Sequence, residues 1–473
     1  MAVRVRIAPS PTGFVHVGNV RAALFNWMFA RHNGGTFILR IDDTDLERSE
    51  ARFEQDIKDG FRWLGLDWDE GVDAGGERGP YRQSERLDRY RQAAADLVEA
   101  GLAYYDDRSP EALEELRQQA VSEKRHPNTY IRRPETEATT GVVRFSVPQD
   151  AAVEFVDLIR GSMRFDAEVL DDFVILRSDG SPTYHLASTL DDVDHAITHV
   201  IRGEDLLSST PKHILLTRAV GAEPPSYGHL PLIMGPDGKR LSKRHGATSL
   251  KEFRDAGYLP EALRNYLCLL GWSLDAERTV FTSEEAIAAF DLADVSKNPA
   301  VFDRDKLDWL NGEYIRALPE PEFVERVRPH IVAGLGRDLD PSEWERFEAM
   351  APLVQERTKF FPEAADQVRF LFTDDLSYDD SSWEKVMAKE GVSDVLRAAR
   401  GKLDSLDSFD HEAVEGALRS MLEELEIGAR KGFQPIRVAV SGSQVSPPLF
   451  ESVAALGRER TLSRLDAAIS RLG

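Results

Sequence analysis

Residues Val3 to Arg21, reading VRVRIAPSPTGFVHVGNVR, constrain the fold more than any other stretch of the chain. Val3, Val5 and Ile7 alternate with Arg4 and Arg6, the two-residue period of a strand. Pro9, Pro11 and Gly13 end that strand, because proline fixes φ and lacks an amide hydrogen. From Val20 through Leu24, Trp27 and Met28 the apolar spacing is helical. A strand, a Pro/Gly turn and a helix make a nucleotide-binding crossover, since a helix N-terminus offers free N–H groups and a positive dipole end to phosphate. The run is neither GxGxxG nor GxxxxGKS/T, which excludes a dinucleotide fingerprint and a Walker loop. An ordinary strand–turn–helix with a structural His16 satisfies the same residues.

A second stretch narrows the choice. Gly238 to Gly246 reads GKRLSKRHG, with four cations around one serine between glycines, and Pro236 shortly before it. Such a loop suits a triphosphate, because Lys and Arg neutralise charge that develops during phosphoryl or nucleotidyl transfer. The plain alternative is a solvated basic turn. Together, PSPTGFVHVGN and KRLSKR resemble the two signature motifs of class I aminoacyl-tRNA synthetases. The words RIAPSPTG, ALFNW, RIDDTD, PYRQSER, PTYHLAS, IRGEDLL and EALRNYLCLLGW are similar to those of glutamyl-tRNA synthetases of the bacterial type, over nearly the whole chain.

That resemblance implies an α/β fold: a class I Rossmann-like catalytic domain with an inserted α+β acceptor-stem domain, then an all-α C-terminal anticodon-binding half. It divides the chain into residues 1–80 and 183–235 for the two catalytic halves, 81–182 for the insertion, 236–310 for the basic loop and stem-contact domain, and 311–473 for the helical domains. It implies a ligase that uses ATP with Mg2+ to activate L-glutamate and passes the glutamyl group to tRNA(Glu); the sequence leaves tRNA(Gln) open as a second partner. His16 and Lys243 are the implied catalytic residues. Pro9, Gly13, His16, Gly18, Asn19, Arg240, Ser242 and Lys243 are implied for ATP. Arg6, Ala8, Ser10, Asp42, Tyr184 and Arg202 are implied for glutamate. The chemistry agrees: two carboxylates call for arginines, here Arg6 and Arg202, and an ammonium calls for an acid, here Asp42, with Tyr184 as a neutral donor.

The chain departs from the family at three places. Asp42 stands where relatives usually have Glu, Asn19 ends the first motif, and Arg244 ends the second. Some relatives carry zinc in the insertion on cysteines and a tyrosine; around Tyr104-Tyr105 there is no cysteine, so no structural zinc is expected. The alternatives are a catalytically altered tRNA-binding relative and a shorter paralogue that glutamylates a tRNA base. His16 and Lys243 count against the first, and about 170 residues after Val301 count against the second.

Composition bounds the rest. A chain of 473 residues is expected to hold three or four domains. No apolar run approaches the ~18 residues of a membrane span, and the N-terminus lacks a signal-peptide core. One cysteine, Cys268 in an apolar helical run, excludes internal disulfides; a cytoplasmic location and a monomer are the defaults. A net charge of −23 does not exclude RNA, because local basic strips decide binding. The strips are Lys124 to Arg133, Lys239 to Arg244, Arg430 to Arg437 and Arg458 to Arg464.

Along the chain, Thr36 to Ile41 reads as a buried strand ending in the acids Asp42, Asp43 and Asp45. Asp43 and Asp45 are expected to cap, with Asp45 starting the next helix, and Asp42 to serve a site. Short strands are expected at Val142 to Val147 and Phe173 to Leu176, and a strand at Thr198 to Arg202. Arg202 suits a carboxylate ligand, and equally an ion pair with Glu204 or Asp205. From Val301 the pattern is helical, with interruptions at Pro435 and Pro447-Pro448. Arg357 is the candidate reader of an anticodon base, a surface salt bridge being the alternative.

Overall fold

The computed structural model describes residues 2–127, 129–135, 138–149, 152–166, 169–246 and 248–473, with only the backbone at Lys243. The chain falls into two units, Met1–Asp255 with Pro260–Leu307, and Ala256–Leu259 with Asp308–Gly473.

The first unit is built on parallel strands. Strand Arg4–Ile7 lies in register with Thr36–Leu39, which in turn pairs with Glu70–Gly71. A second parallel pair joins His199–Gly203 to Ser226–Leu230. Thr198 ties the two together: its amide donates to the Arg4 carbonyl at 2.9 Å, and its hydroxyl accepts from the Arg4 amide at 2.8 Å. Helices cover parallel sheets on both faces, so the first strand is buried on both. The arginine alternation therefore does not mark a wet face, and Arg6 is buried with Val5 and Ile7.

The crossover from the first strand is helix Val17–His32. Its apolar residues, among them Val20, Leu24, Phe25 and Met28, are almost wholly buried. His16 caps it, accepting from the Gly18 amide at 3.1 Å. Cys268, in helix Pro260–Leu269, packs its Sγ 3.6 Å from the Met28 sulfur, and burial pushes its thiol up to about 12.

Between the parallel pairs runs an antiparallel sheet of Ala103–Asp106, Val142–Phe145 and Phe173–Leu176, beside helix Pro110–Ser122. Tyr104 is buried there and donates to Asp172 at 3.1 Å. The hairpin Val153–Asp157/Gly161–Phe165, also within residues 81–182, pairs elsewhere. It joins the parallel sheet, with Asp157 opposite Tyr227. That pairing brings Asp157 beside His229.

The second unit is helical from Asp308 to its end among the described residues, and helix Leu449–Leu456 follows Pro447-Pro448. Three expectations need correction. Pro435 does not interrupt: it lies inside helix Ala429–Ser441, whose buried Ile436, Val438, Ala439 and Val440 offset one lost backbone bond. Asp45 does not start a helix. It closes a turn with Arg48, and the helix begins at Ala51. Arg458 to Arg464 is not a free basic strip. Arg464 is buried and donates to the carbonyls of Val440, Phe370 and Thr373, while Arg458 and Arg460 also bind backbone carbonyls.

Candidate active site

The C-terminal ends of the parallel strands open onto a cavity of about 810 Å³ within the first unit. Open α/β sheets place ligands at this end. The cavity is lined by Arg6, Ala8, Pro9, Ser10, His16, Gly18, Asn19, Asp42, Tyr184, Arg202, Arg240 and Ser242. Residues that are far apart in sequence, expected on one side for ATP and on the other for glutamate, thus share one space. Gly13 does not line it. The Lys243 side chain lies outside the described residues.

The two signature motifs are joined through the backbone. Val17 donates to the Thr248 carbonyl at 2.9 Å, and Leu250 donates to Val15 at 3.1 Å. This bridge fixes where the basic loop leaves the sheet. Because His16 Nδ1 accepts from Gly18, the ring's own proton sits on Nε2. A Cβ on Gly18 would meet only that Nδ1, at 3.4 Å, so the protein itself leaves this approach open. In the loop Arg240 pairs with Asp205 at 3.0 Å and Arg244 with Asp237 at 3.1 Å.

A buried ionic network lies beneath Arg6 and Asp42. Arg6 binds both oxygens of Asp192, at 3.0 and 3.2 Å. Arg40, wholly buried, binds both oxygens of Asp42 at 2.7 and 3.2 Å and reaches Asp192 at 2.7 Å. Asp191 accepts from Arg86, Tyr90 and Gln83. Burial pushes the Asp42 carboxyl up to about 6, against the pull of Arg40. Asp192 is buried too, yet Arg6 and Arg40 hold its carboxyl below the usual range. Asp43 caps instead: its carboxylate accepts from the Ser84 amide at 2.8 Å and hydroxyl at 2.6 Å.

Arg202 forms no ion pair with Glu204 or Asp205. Among the described residues no carboxylate lies within 4.0 Å of it. It donates to Tyr184 Oη at 2.9 Å, Thr210 Oγ1 at 2.8 Å, the Leu206 carbonyl at 3.1 Å and His229 Nε2 at 3.1 Å. Tyr184 Oη accepts from Arg202, so its hydrogen is left to donate.

Sequence reasoning passed over Arg40, Asp191 and Asp192. A signal existed: Asp191 and Asp192 sit in the last turn of helix Tyr184–Asp194, where the dipole disfavours acids unless cations meet them. Among the described residues no three His, Cys, Asp or Glu side chains are grouped to hold a metal, and no helix is long and apolar enough to cross a membrane.

In the second unit Arg357 is exposed, and among the described residues it has no ion-pair partner. The salt-bridge alternative therefore falls. Its charge is felt by Arg437, which burial and Arg357 together push below its ordinary range. Arg437 holds the carbonyls of Ser446 and Pro447, at 3.2 and 2.6 Å.

Parallel sheet, capped crossover, basic loop and helical C-terminal unit are the elements that the motif resemblance implied. The model of the catalytic domain of class I tRNA synthetases (E and Q) matches residues 2–309, and that of an anticodon binding domain matches residues 322–469. A glutamate–tRNA ligase from Dehalococcoides mccartyi is 47% identical, over 99% of this chain and 98% of its own. One from Streptomyces avermitilis is 45% identical over 99% of this chain and 96% of its own. The crystal structure of a glutamate tRNA ligase from Elizabethkingia meningosepticum, in complex with its amino acid, superposes with a TM-score of 0.87 at 32% identity and covers 100% of both chains. This chain belongs to the glutamate–tRNA ligase family.

Proposed function

We infer that the chain is a glutamate–tRNA ligase that forms glutamyl-adenylate and transfers the glutamyl group to the 3′-terminal adenosine of tRNA(Glu). The observation that carries the reading is the single cavity in which Arg6, Asp42, Tyr184 and Arg202 face His16, Asn19, Arg240 and Ser242. In the first step a glutamate α-carboxylate oxygen attacks the α-phosphorus of ATP, and pyrophosphate leaves. In the second a ribose hydroxyl attacks the acyl carbon, and AMP leaves. Neither step needs a protein nucleophile; both need positioning and positive charge.

His16 and the helix N-terminus behind it are assigned to the phosphates, with Arg240 and Lys243 taking up charge on the departing pyrophosphate. Pro9, Gly18, Asn19 and Ser242 complete the ATP side, and Gly13, which does not line the cavity, is left out of it. Arg202 and Arg6 are assigned to the carboxylates of glutamate, Asp42 to its ammonium, and Ala8 and Ser10 to the wall between the substrates. Arg202 suits an anion best, since its neighbours are neutral, whereas Arg6 is already paired with Asp192. No cluster of acids stands ready for a metal among the described residues, so Mg2+ would arrive on ATP, held by phosphate oxygens and water. Arg357 is assigned to the anticodon.

The test is charging with labelled glutamate on separate tRNA(Glu) and tRNA(Gln) transcripts, with a pyrophosphate-exchange control lacking tRNA. Charging of tRNA(Glu) alone makes the enzyme discriminating. Charging of both adds tRNA(Gln) as a partner. Charging of neither, with ATP binding intact, overturns the assignment.

A further inference from the structure

Arg202 is set from behind by a buried chain of residues. His229, wholly buried in strand Ser226–Leu230, offers Nε2 to Arg202 Nε at 3.1 Å and to the Thr210 hydroxyl at 3.1 Å. Its Nδ1 lies 2.6 Å from Asp157 Oδ2. Asp157 is equally buried, and its Oδ1 accepts from the amides of Ile159, Arg160 and His229 at 3.0, 2.9 and 3.2 Å.

The chemistry of these partners fixes the imidazole. A carboxylate only accepts, so Nδ1 carries the hydrogen and Nε2 keeps a lone pair. A guanidinium only donates, so that lone pair is what Arg202 Nε requires. The Asp157 charge is thereby kept one residue away from Arg202. It sets the tautomer of His229 without neutralising the arginine. Arg6 shows the contrast, because Asp192 binds it directly.

We propose that Asp157 and His229 are positioning residues that hold the Arg202 guanidinium in place, with its charge uncompensated, as the receptor for a substrate carboxylate. The proposal rests on the assignment of Arg202 to glutamate made above.

Asp157→Asn tests it with little change of shape. The three backbone amides at Oδ1 select the asparagine oxygen for that place, so the NH2 faces His229 Nδ1. Nδ1 must then accept, the ring hydrogen moves to Nε2, and it opposes the Arg202 Nε–H. The glutamate KM for aminoacylation is expected to rise at least ~tenfold while the ATP KM stays within ~twofold. Adding His229→Gln to Asp157→Asn is expected to recover much of the loss, because a glutamine carbonyl accepts from Arg202 whatever residue 157 is. A packing role predicts the double variant to be worse than the single one, and that result overturns the proposal.

Arg202→Ala is the reference arm. If it raises the glutamate KM and Asp157→Asn does not, the positioning role alone falls. If Arg202→Ala leaves the glutamate KM unchanged, the assignment of Arg202 falls, and the positioning role with it. Should the variants not fold, nitrogen NMR of histidine-labelled wild-type enzyme decides. A neutral His229 with its hydrogen on Nδ1 is expected; a hydrogen on Nε2 overturns the proposal.

Discussion

Arg40 grips both carboxylate oxygens of Asp42, at 2.7 and 3.2 Å, although only Ile41 separates the two in sequence. Asp42 lines the cavity with Arg40 buried behind it, and burial still pushes the Asp42 carboxyl up to about 6. An ammonium needs the ionised form. Falling pH protonates Asp42 as it passes through about 6, so the glutamate KM is expected to climb below that value while the ATP KM stays flat. Asp42→Asn is expected to give a high glutamate KM at every pH. Glutamate KM profiles of both proteins, from about pH 5 to about pH 8, check this.

Asp192 is the shared partner of Arg6 and Arg40. Asp192→Ala leaves two buried guanidinium groups short of a counter-charge. A loss of about 3 kcal/mol in unfolding free energy is expected, because removing one member of a buried ionic pair strands the other. Urea unfolding measures it, and a change near zero would show that Asp191 and Asp42 suffice for both arginines.

Lys243→Ala is expected to slow adenylate formation by about a hundredfold, the scale of a lost donor to developing charge. Affinity for tRNA, measured by filter binding, is expected to hold. Equal loss of both removes the role given to Lys243.

Arg357 and Arg464 make a contrasting pair. Arg357→Ala is expected to weaken charging of tRNA(Glu) and to shift stability by no more than about 0.5 kcal/mol, since the side chain is exposed and unpaired among the described residues. Arg464→Ala is expected to destabilise by about 2 kcal/mol or more, because three carbonyls inside the second unit lose their donor. Thermal unfolding and charging of both variants separate the two effects.

The contrast marks how far the sequence was legible. Arg357 and Arg464 are both arginines in helical, charge-rich surroundings, and no spacing rule says which one faces water. Asp45 and Pro435 carried sound local preferences, for capping and for breaking helices, that packing overrode. Phe173–Leu176, by contrast, was bounded by the sequence to the residue.

Through the resemblance of its motifs to a known family the sequence implied the class of fold and many of the residues that line the cavity; by itself it determined the strand–turn–helix crossover around His16 and the basic loop. Those features depend on short-range chemistry: proline and glycine at turns, apolar periodicity, and charges clustered in a few consecutive positions. Tertiary structure alone decided which ions pair. Asp157 reaches His229 across neighbouring strands, Asp192 in a helix reaches Arg6 in a strand, and Val17 at a helix start reaches Thr248, all because folding makes distant segments neighbours. The state of a buried charge is set by whatever the fold brings within a few ångströms of it, and linear order does not encode that distance.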